Sequence, residues 1–490
     1  MSFNSMEFLL FFPIVLLIYY IVPKKAAYIW LLGCSYYFYM CWNAQYALLM
    51  LFSTVMTYAG GIIIELVPEK RHKKCAAALC FGLNLAVLFV FKYTGLAANL
   101  LHEALGLVHI QLRMPEFDLL LPVGISFYTF QALGYTMDVY RQETYAEKNF
   151  LRYALFVSFF PQLVAGPIER SKNLLKQLAG PRSINFETMR DGLLLMLWGY
   201  FLKIVLADRI AVFVNTVYGD YTTYAGWYLA AATVLFAFQI YCDFYGYSAI
   251  AMGAAQLLGI RLMENFDAPY LSADTGEFWR KWHISLTSWF RDYLYIPLGG
   301  SRRGRLRKYI NKIIVFMASG LWHGAKISFV VWGLLNGLYQ VIGEMTEPYR
   351  EKAAVYLHIH RNSLAHKLAR TLGTFMLIDF TWIFFRAERF REALEIIKQM
   401  VTVKNIWILF DGSLYQCGLD EKNFRLMILC LGILLAADFC KKKGIKIREV
   451  IAVQDFWFRC LFFAAAVCAV VTFGMWGPGY QEAGFIYFQF

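Results

Sequence analysis

What limits this chain most is a succession of apolar runs, each near the roughly 18 residues a helix needs to cross the hydrocarbon core of a bilayer. They fall at 6–22, 26–42, 45–66, 75–101, 117–138, 190–213, 225–250, 309–324, 326–345, 371–386, 424–440 and 456–475. A helix bonds its own backbone N–H and C=O groups, so a chain built of such runs has one main solution, a bundle of membrane helices. The run 150–167 is apolar but interrupted by Pro161 and Pro167, which points to a re-entrant or interfacial segment. The expected fold is all-α: a single polytopic domain over 1–490 with roughly eleven to thirteen transmembrane helices, plus re-entrant or interfacial pieces.

Composition supports this and removes the soluble alternatives. Hydrophobic residues make up 59% and charged residues 17%, whereas soluble domains run near a quarter charged. The net charge of +13 would raise nucleic acid as a partner in a soluble protein. Here the basic residues cluster in the short connections between apolar runs, the positive-inside pattern, and the aromatics fit lipid contact rather than base stacking. The expected partners are membrane lipids, not nucleic acid. None of the ten cysteines forms a Cys-x-x-Cys pair, so neither a zinc site nor a disulfide framework is expected.

The opening segment MSFNSMEFLLFFPIVLLIYYIVPKK lacks a basic start and a small-residue cleavage site, and reads as an uncleaved first span. Placing Lys24 and Lys25 inside puts the N-terminus outside. The basic stretches 70–74, 301–308 and 440–449 then also fall inside, and the connection 214–224, free of Lys and Arg, falls outside. The C-terminus follows to the outside, giving a multi-pass protein of the cytoplasmic membrane with both termini extracytoplasmic. One stretch resists: Arg386, Arg389, Arg391, Lys398 and Lys404 would be external, so that segment is an interfacial helix or one span is misplaced.

Two histidines stand out in this apolar setting, since a polar ring among lipid and packed helices costs free energy. In FWRKWHISLTSWFRDYLYIPLGG (278–300), helical spacing puts Trp282, Leu286, Trp289, Tyr293 and Ile296 on one stripe with His283 beside it. The bland reading is an interfacial amphipathic helix with a satisfied histidine. His323 lies in ASGLWHGAK (318–326), with Ser319, Gly320 and Gly324 around it; small neighbours would leave room for a substrate to reach the ring. They would equally serve close helix packing. Asp138, Asp243 and Asp379 share the apolar context, and each needs a partner such as Arg141 or a histidine. The basic group Arg302, Arg303, Arg305, Arg307, Lys308 and Lys312 suits lipid headgroups, or less readily the phosphates of a soluble donor. The tail at 477–490 ends in FIYFQF (485–490), which would not stay solvated and reads as an aromatic anchor.

Six segments in order resemble the membrane-bound O-acyltransferase family: LPVGISFYTFQALGYTMDVYR (121–141), FFPQLVAGPIER (159–170), FQIYCDFYGYSAIAMGAAQLLGIRLMENFDAPY (238–270), the His283 segment, GLWHG and FFRAER (384–389). Length and motifs look most like the bacterial branch of alginate O-acetylation, related to peptidoglycan O-acetylation and teichoic-acid D-alanylation. The resemblance implies a helical bundle with inside and outside funnels meeting at a narrow passage. It implies His323 and His283 as the catalytic pair, makes Tyr487 in the tail a candidate acyl relay, and leaves Asp243, Trp322 and Ser319 as supporting candidates.

The chemistry that the resemblance implies is acyl transfer. An acyl thioester, with acetyl-CoA as the expected donor and no bound cofactor or metal, would react inside the membrane. His323 would take the acceptor proton, and His283 or a backbone amide would stabilise the oxyanion. The acyl group would pass to an extracytoplasmic SGNH-hydrolase-like acetyltransferase partner and a polysaccharide acceptor. D-alanyl transfer to teichoic acid is the near alternative. A transporter or flippase is the distant one, which would predict inverted repeats that the sequence lacks.

Overall fold

A computed structural model describes residues 1–107, 122–164, 166–180, 184–477 and 484–486, and among them the regular structure is helical, apart from one isolated antiparallel bridge between Phe266 and Trp282. The contacts group into two compact units: Met1–Met196 with Tyr247–Met263, and Leu197–Gly246 with Glu264–Phe490.

The first unit runs through α1 (Met6–Ile21), α2 (Ala27–Met40), α3 (Tyr46–Leu66), α4 (Lys70–Leu107), α5 (Ile125–Tyr140), the short α6 (Phe150–Ser158) and α7 (Phe160–Leu163), α8 (Ser171–Ala179) and most of α9 (Phe186–Tyr200). In α1, Phe8, Phe12, Val15 and Tyr19 are buried while Leu10, Ile14, Leu17 and Ile21 are exposed. A helix apolar on every face is stable only where its outer face meets lipid. The proline-bearing stretch is indeed broken: α6 ends at Ser158, Phe159 is non-helical, and α7 restarts with Pro161 in its first turn. Its loose backbone is satisfied inside the unit. Gln131 and Gln162 both donate to the Phe156 carbonyl, at 2.6 and 3.0 Å, and the Ser35 hydroxyl accepts from the Phe160 amide at 3.2 Å. Asp138 finds its partner in the same unit, accepting from the Ser171 hydroxyl at 2.9 Å.

The second unit contains a π-helical turn (Phe201–Ala207), α10 (Asp208–Gly219), α11 (Trp227–Leu257) as far as Gly246, α12 (Thr275–Lys281), α13 (Ile284–Phe290), a second π turn (Arg291–Tyr295), α14 (Arg305–His323), α15 (Ile327–Tyr356), α16 (Leu364–Arg386), α17 (Phe390–Thr402), α18 (Glu421–Lys442), α19 (Ile447–Ala452) and α20 (Phe456–Phe473). Across the described residues, six helices are long and apolar enough to cross a membrane: α3, α4 over Lys70–Ala98, α11, α16, α18 and α20. On α20, Phe456, Trp457, Phe458 and Leu461 are exposed, as hydrocarbon-facing side chains must be.

Of the troublesome charges at 386–404, Arg386 is the last residue of the candidate span α16 and the others lie beyond its end. Arg386 ends α16, donating to Asn215 at 3.0 Å with its guanidinium 5.3 Å from the centre of the Tyr218 ring. α17 then has 13 residues, about 20 Å at 1.5 Å per residue, too short to cross. It buries Ala393 and Ile396 and turns its charges outward, the pattern of an interfacial helix. In the basic group, Lys308 and Lys312 both pair with Glu344 of α15, Lys312 at 2.6 Å, so these two are spent on the hairpin, leaving the arginines exposed.

Candidate active site

The site grows from a tight helical hairpin. α14 and α15 pack so closely that a Cβ on Gly320 would sit 2.2 Å from the Phe329 carbonyl oxygen, and one on Gly333 would sit 2.3 Å from that of Phe316. Gly324, just past the end of α14, lies under the Phe329 ring, 2.4 Å from where its Cβ would be. The small residues around His323 therefore serve backbone approach, the packing role, rather than leaving space for a substrate. Ser319, one turn back, is buried.

His323 is the last residue of α14 and 6% exposed. Its imidazole is ringed by Trp322, Trp332 and Phe385, with centroids at 4.9, 5.1 and 5.2 Å, each nearly perpendicular to it.

His283 is placed by a device that the periodicity hides. The expected continuous helix through 282–296 does not form: α12 stops at Lys281, Trp282 is extended, and His283 has φ 44 and ψ 56 before α13 begins. The cause is a backbone pairing with residues 265–267. Asp267 donates to the Lys281 carbonyl and Ile284 to that of Asn265, both at 3.0 Å. The Asn265 side-chain oxygen then accepts from the Ser285 hydroxyl at 2.6 Å. Left-handed backbone at a non-glycine residue costs about 1–2 kcal/mol and persists only where the surroundings enforce it. Burial drives the His283 imidazole down from its ordinary 6.5 to about 3, so near neutral pH it is uncharged and carries one N–H donor.

The two imidazoles share a wall. The Trp322 ring lies 6.0 Å from His283 and 4.9 Å from His323. A second path of rings closes the cage: Trp282 to Trp382 at 5.2 Å, Trp382 to Trp332 at 5.9 Å, Trp332 to His323 at 5.1 Å. Asn336, buried in α15, locks it by accepting from the Trp279 indole at 3.2 Å and donating to Thr381 at 3.3 Å, which joins α12, α15 and α16. Sequence reasoning misses Asn336, whose one signal is a lone amide in the apolar run VVWGLLNGLY.

Asp243 lies elsewhere in this unit than a simple histidine-orienting role would place it. One carboxylate oxygen is 2.8 Å from the Lys203 ammonium and the other accepts the Ile486 amide at 2.7 Å. Lys203 is missed too, although a lysine inside the apolar run 190–213 is a visible signal. Tyr487 lies outside the described residues.

Both histidines and the cage's tryptophans at 282, 322 and 332 fall inside residues 146–376, which match the sequence profile of the membrane-bound O-acyltransferase family. The chain is 32% identical over 509 residues to the probable alginate O-acetylase of Pseudomonas putida, covering all of both chains. The chain belongs to the membrane-bound O-acyltransferase family. It is similar as well to the peptidoglycan O-acetyltransferase of Helicobacter pylori, 32% identical over all of this chain and 97% of that one. The teichoic acid D-alanyltransferase of Bacillus subtilis is more distant, 25% identical over 58% of this chain and 73% of its own. The reaction class of the family, O-acyl transfer by a membrane-bound enzyme, is thus the class of this protein.

Proposed function

We propose that the chain takes an acetyl group from a cytoplasmic thioester, acetyl-CoA, and commits it to O-acetylation of a cell-envelope polysaccharide outside. In this reading it forms one functional domain of roughly eleven to thirteen membrane-spanning helices with both termini extracytoplasmic, and an extracytoplasmic SGNH-hydrolase-like acetyltransferase completes delivery to the polymer. The observation that carries the proposal is the shared Trp322 wall, which sets a buried neutral imidazole and a second imidazole beside one ring.

His323 takes the proton of the attacking hydroxyl as its oxygen bonds to the thioester carbonyl carbon. The carbonyl electrons move to oxygen, and that oxyanion accepts the N–H of His283. Burial suits His283 to this role, because the ring donates a hydrogen bond but holds no extra proton to lose near neutral pH. When the carbonyl re-forms, the C–S bond breaks and the thiolate takes the proton back from His323. The products are an ester and free thiol. The first acceptor hydroxyl in this proposal is that of Tyr487, which passes the acetyl on.

The test is His323→Ala, scored by base-released acetate from envelope polysaccharide at matched membrane levels of protein. Acetate should fall to background, and near-parental acetate would end the assignment. Tyr487→Phe removes only the hydroxyl, so retained acetate would eliminate the relay. The D-alanyl reading, favoured by the similarity to teichoic acid D-alanyltransferase, is separated by whether base releases acetate or D-alanine.

A further inference from the structure

Away from the histidine cage, the second unit buries three charges in one cluster. Lys203, 1% exposed at its side chain, lies in the π turn that separates α9 from α10. Its ammonium is 2.7 Å from an Asp208 oxygen and 2.8 Å from an Asp243 oxygen, and both carboxylates are buried. The inserted residue of a π turn re-aims side chains, and here it lets Lys203 face α11 while Asp208 opens the next helix. Gly246, one turn beyond Asp243, makes the approach possible: its Cβ would stand 3.1 Å from the Lys203 amide and 2.9 Å from the Gly199 carbonyl oxygen.

Carboxylates buried in a dry place need hydrogen-bond donors as well as a cation. At Asp243 the donor is the Ile486 amide, 2.7 Å from the second carboxylate oxygen. Phe485 and Ile486 are 1% and 3% exposed, so this segment is seated rather than resting on the surface. The seat adjoins the reaction cage. Phe244, next in sequence to Asp243, has its ring 5.8 Å from Phe485 on one side and 4.6 Å from His283 on the other. The π turn and α10 also hold the end of α20 and the residues just after it: the Ile204 carbonyl accepts the Met475 amide at 2.8 Å, and Arg209 donates to the Phe473 carbonyl at 2.8 Å.

We propose that Asp243, held in place by Lys203, is a positioning residue whose second oxygen docks the 484–486 segment against Phe244 and thereby makes the aromatic tail competent in acyl transfer. Neither residue touches the reacting atoms. Their work is to give the tail one seat, because leaving it strands a buried carboxylate oxygen. The proposal deepens the function proposed above and rests on it for the role of the tail, but not for the existence of the seat.

The experiment therefore reads the seat and the chemistry separately, on the full-length protein. Backbone hydrogen exchange of the peptide carrying Ile486 is followed in detergent, and base-released acetate is followed in cells at matched protein levels. Ile486→Pro deletes the docking N–H while keeping the side chains of Lys203, Asp208 and Asp243, Asp243→Ala deletes the acceptor, and Asp243→Asn keeps an acceptor oxygen. Expected are at least tenfold faster exchange at the end of the tail in the Pro and Ala variants, with the helices unchanged, and acetate down at least tenfold. The Asn variant should recover part of both, and Asp243→Ala/Ile486→Pro should be no worse than either single change. Unchanged tail exchange in Asp243→Ala or Ile486→Pro overturns the seat. Faster exchange with acetate within twofold of the parent overturns the positioning role. Should Asp243→Ala not accumulate, Ile486→Pro alone decides both questions. If His323→Ala keeps its acetate while the seat variants lose protection, the function proposed above falls and the seat stands.

Discussion

Acidification should destabilise the second unit through His283, by an amount set by its burial. In an unfolded chain the imidazole takes a proton near pH 6.5; in the folded chain burial holds that step down to about 3. Between those values the unfolded state binds the proton and the folded state does not, so stability rises with pH across that window. Above 6.5 the contribution is complete; as pH falls it is lost at about 1.4 kcal/mol per pH unit, or about 2 kcal/mol by pH 5. The assay is reversible unfolding in mixed micelles from pH 7.5 to 5, comparing the parent with His283→Gln, which fills similar space and does not titrate. Subtracting the two curves removes the carboxylates common to both. The difference should be flat above pH 7 and approach a slope of one proton below pH 6. A flat difference down to pH 5 would mean the ring takes up its proton alike in the folded and unfolded chain, and would refute both the burial argument and the assignment of a neutral oxyanion donor.

Other consequences are simpler to check. Gly320→Ala places a methyl group 2.2 Å from the Phe329 carbonyl oxygen, so α14 and α15 must part at a cost of about 1–3 kcal/mol. Gly343→Ala in α15, with no atom within 4 Å, should be neutral or stabilising by up to about 1 kcal/mol. Thermal melts in detergent decide, and equal melts for the two would show that the hairpin is not close-packed. The Tyr241 hydroxyl lies 3.0 and 3.1 Å from the two oxygens of buried Asp438. Tyr241→Phe should thus cost about 1–3 kcal/mol, and much less on an Asp438→Leu background, because no carboxylate is left stranded there. Equal costs on both backgrounds would dissolve the pair.

Much of the scaffold is legible in apolar run length alone. The runs at 6–22, 26–42 and 45–66 correspond to α1, α2 and α3 nearly residue for residue, because nothing tertiary competes with a long apolar run flanked by charge or proline. The prolines at 161 and 167 correctly mark a broken segment. The stripe from Trp282 to Ile296 misleads, since its 3.6-residue period continues through a point where the backbone is captured by Asn265 and Asp267. Hydrophobic periodicity reports which side chains avoid water; a distant strand-like pairing that turns one residue left-handed leaves no trace in it. The glycines around His323 mislead differently. A small residue states that something approaches closely, and only the folded chain reveals that the visitor is Phe329.

Buried charge is the signal that sequence shows in halves. Asp243 is visible as a carboxylate needing a partner, and Lys203 as an ammonium inside an apolar run, yet about 40 residues and a π turn separate them. Neither half alone is tolerable in hydrocarbon, so each implies the other. Pairing every isolated charge in one run with those in the others exposes the cluster from residue identities alone. The Ile486 amide stays hidden from such a search, because a backbone N–H has no residue identity to look for. That contact ties the tail to the cage, and it depends on geometry alone.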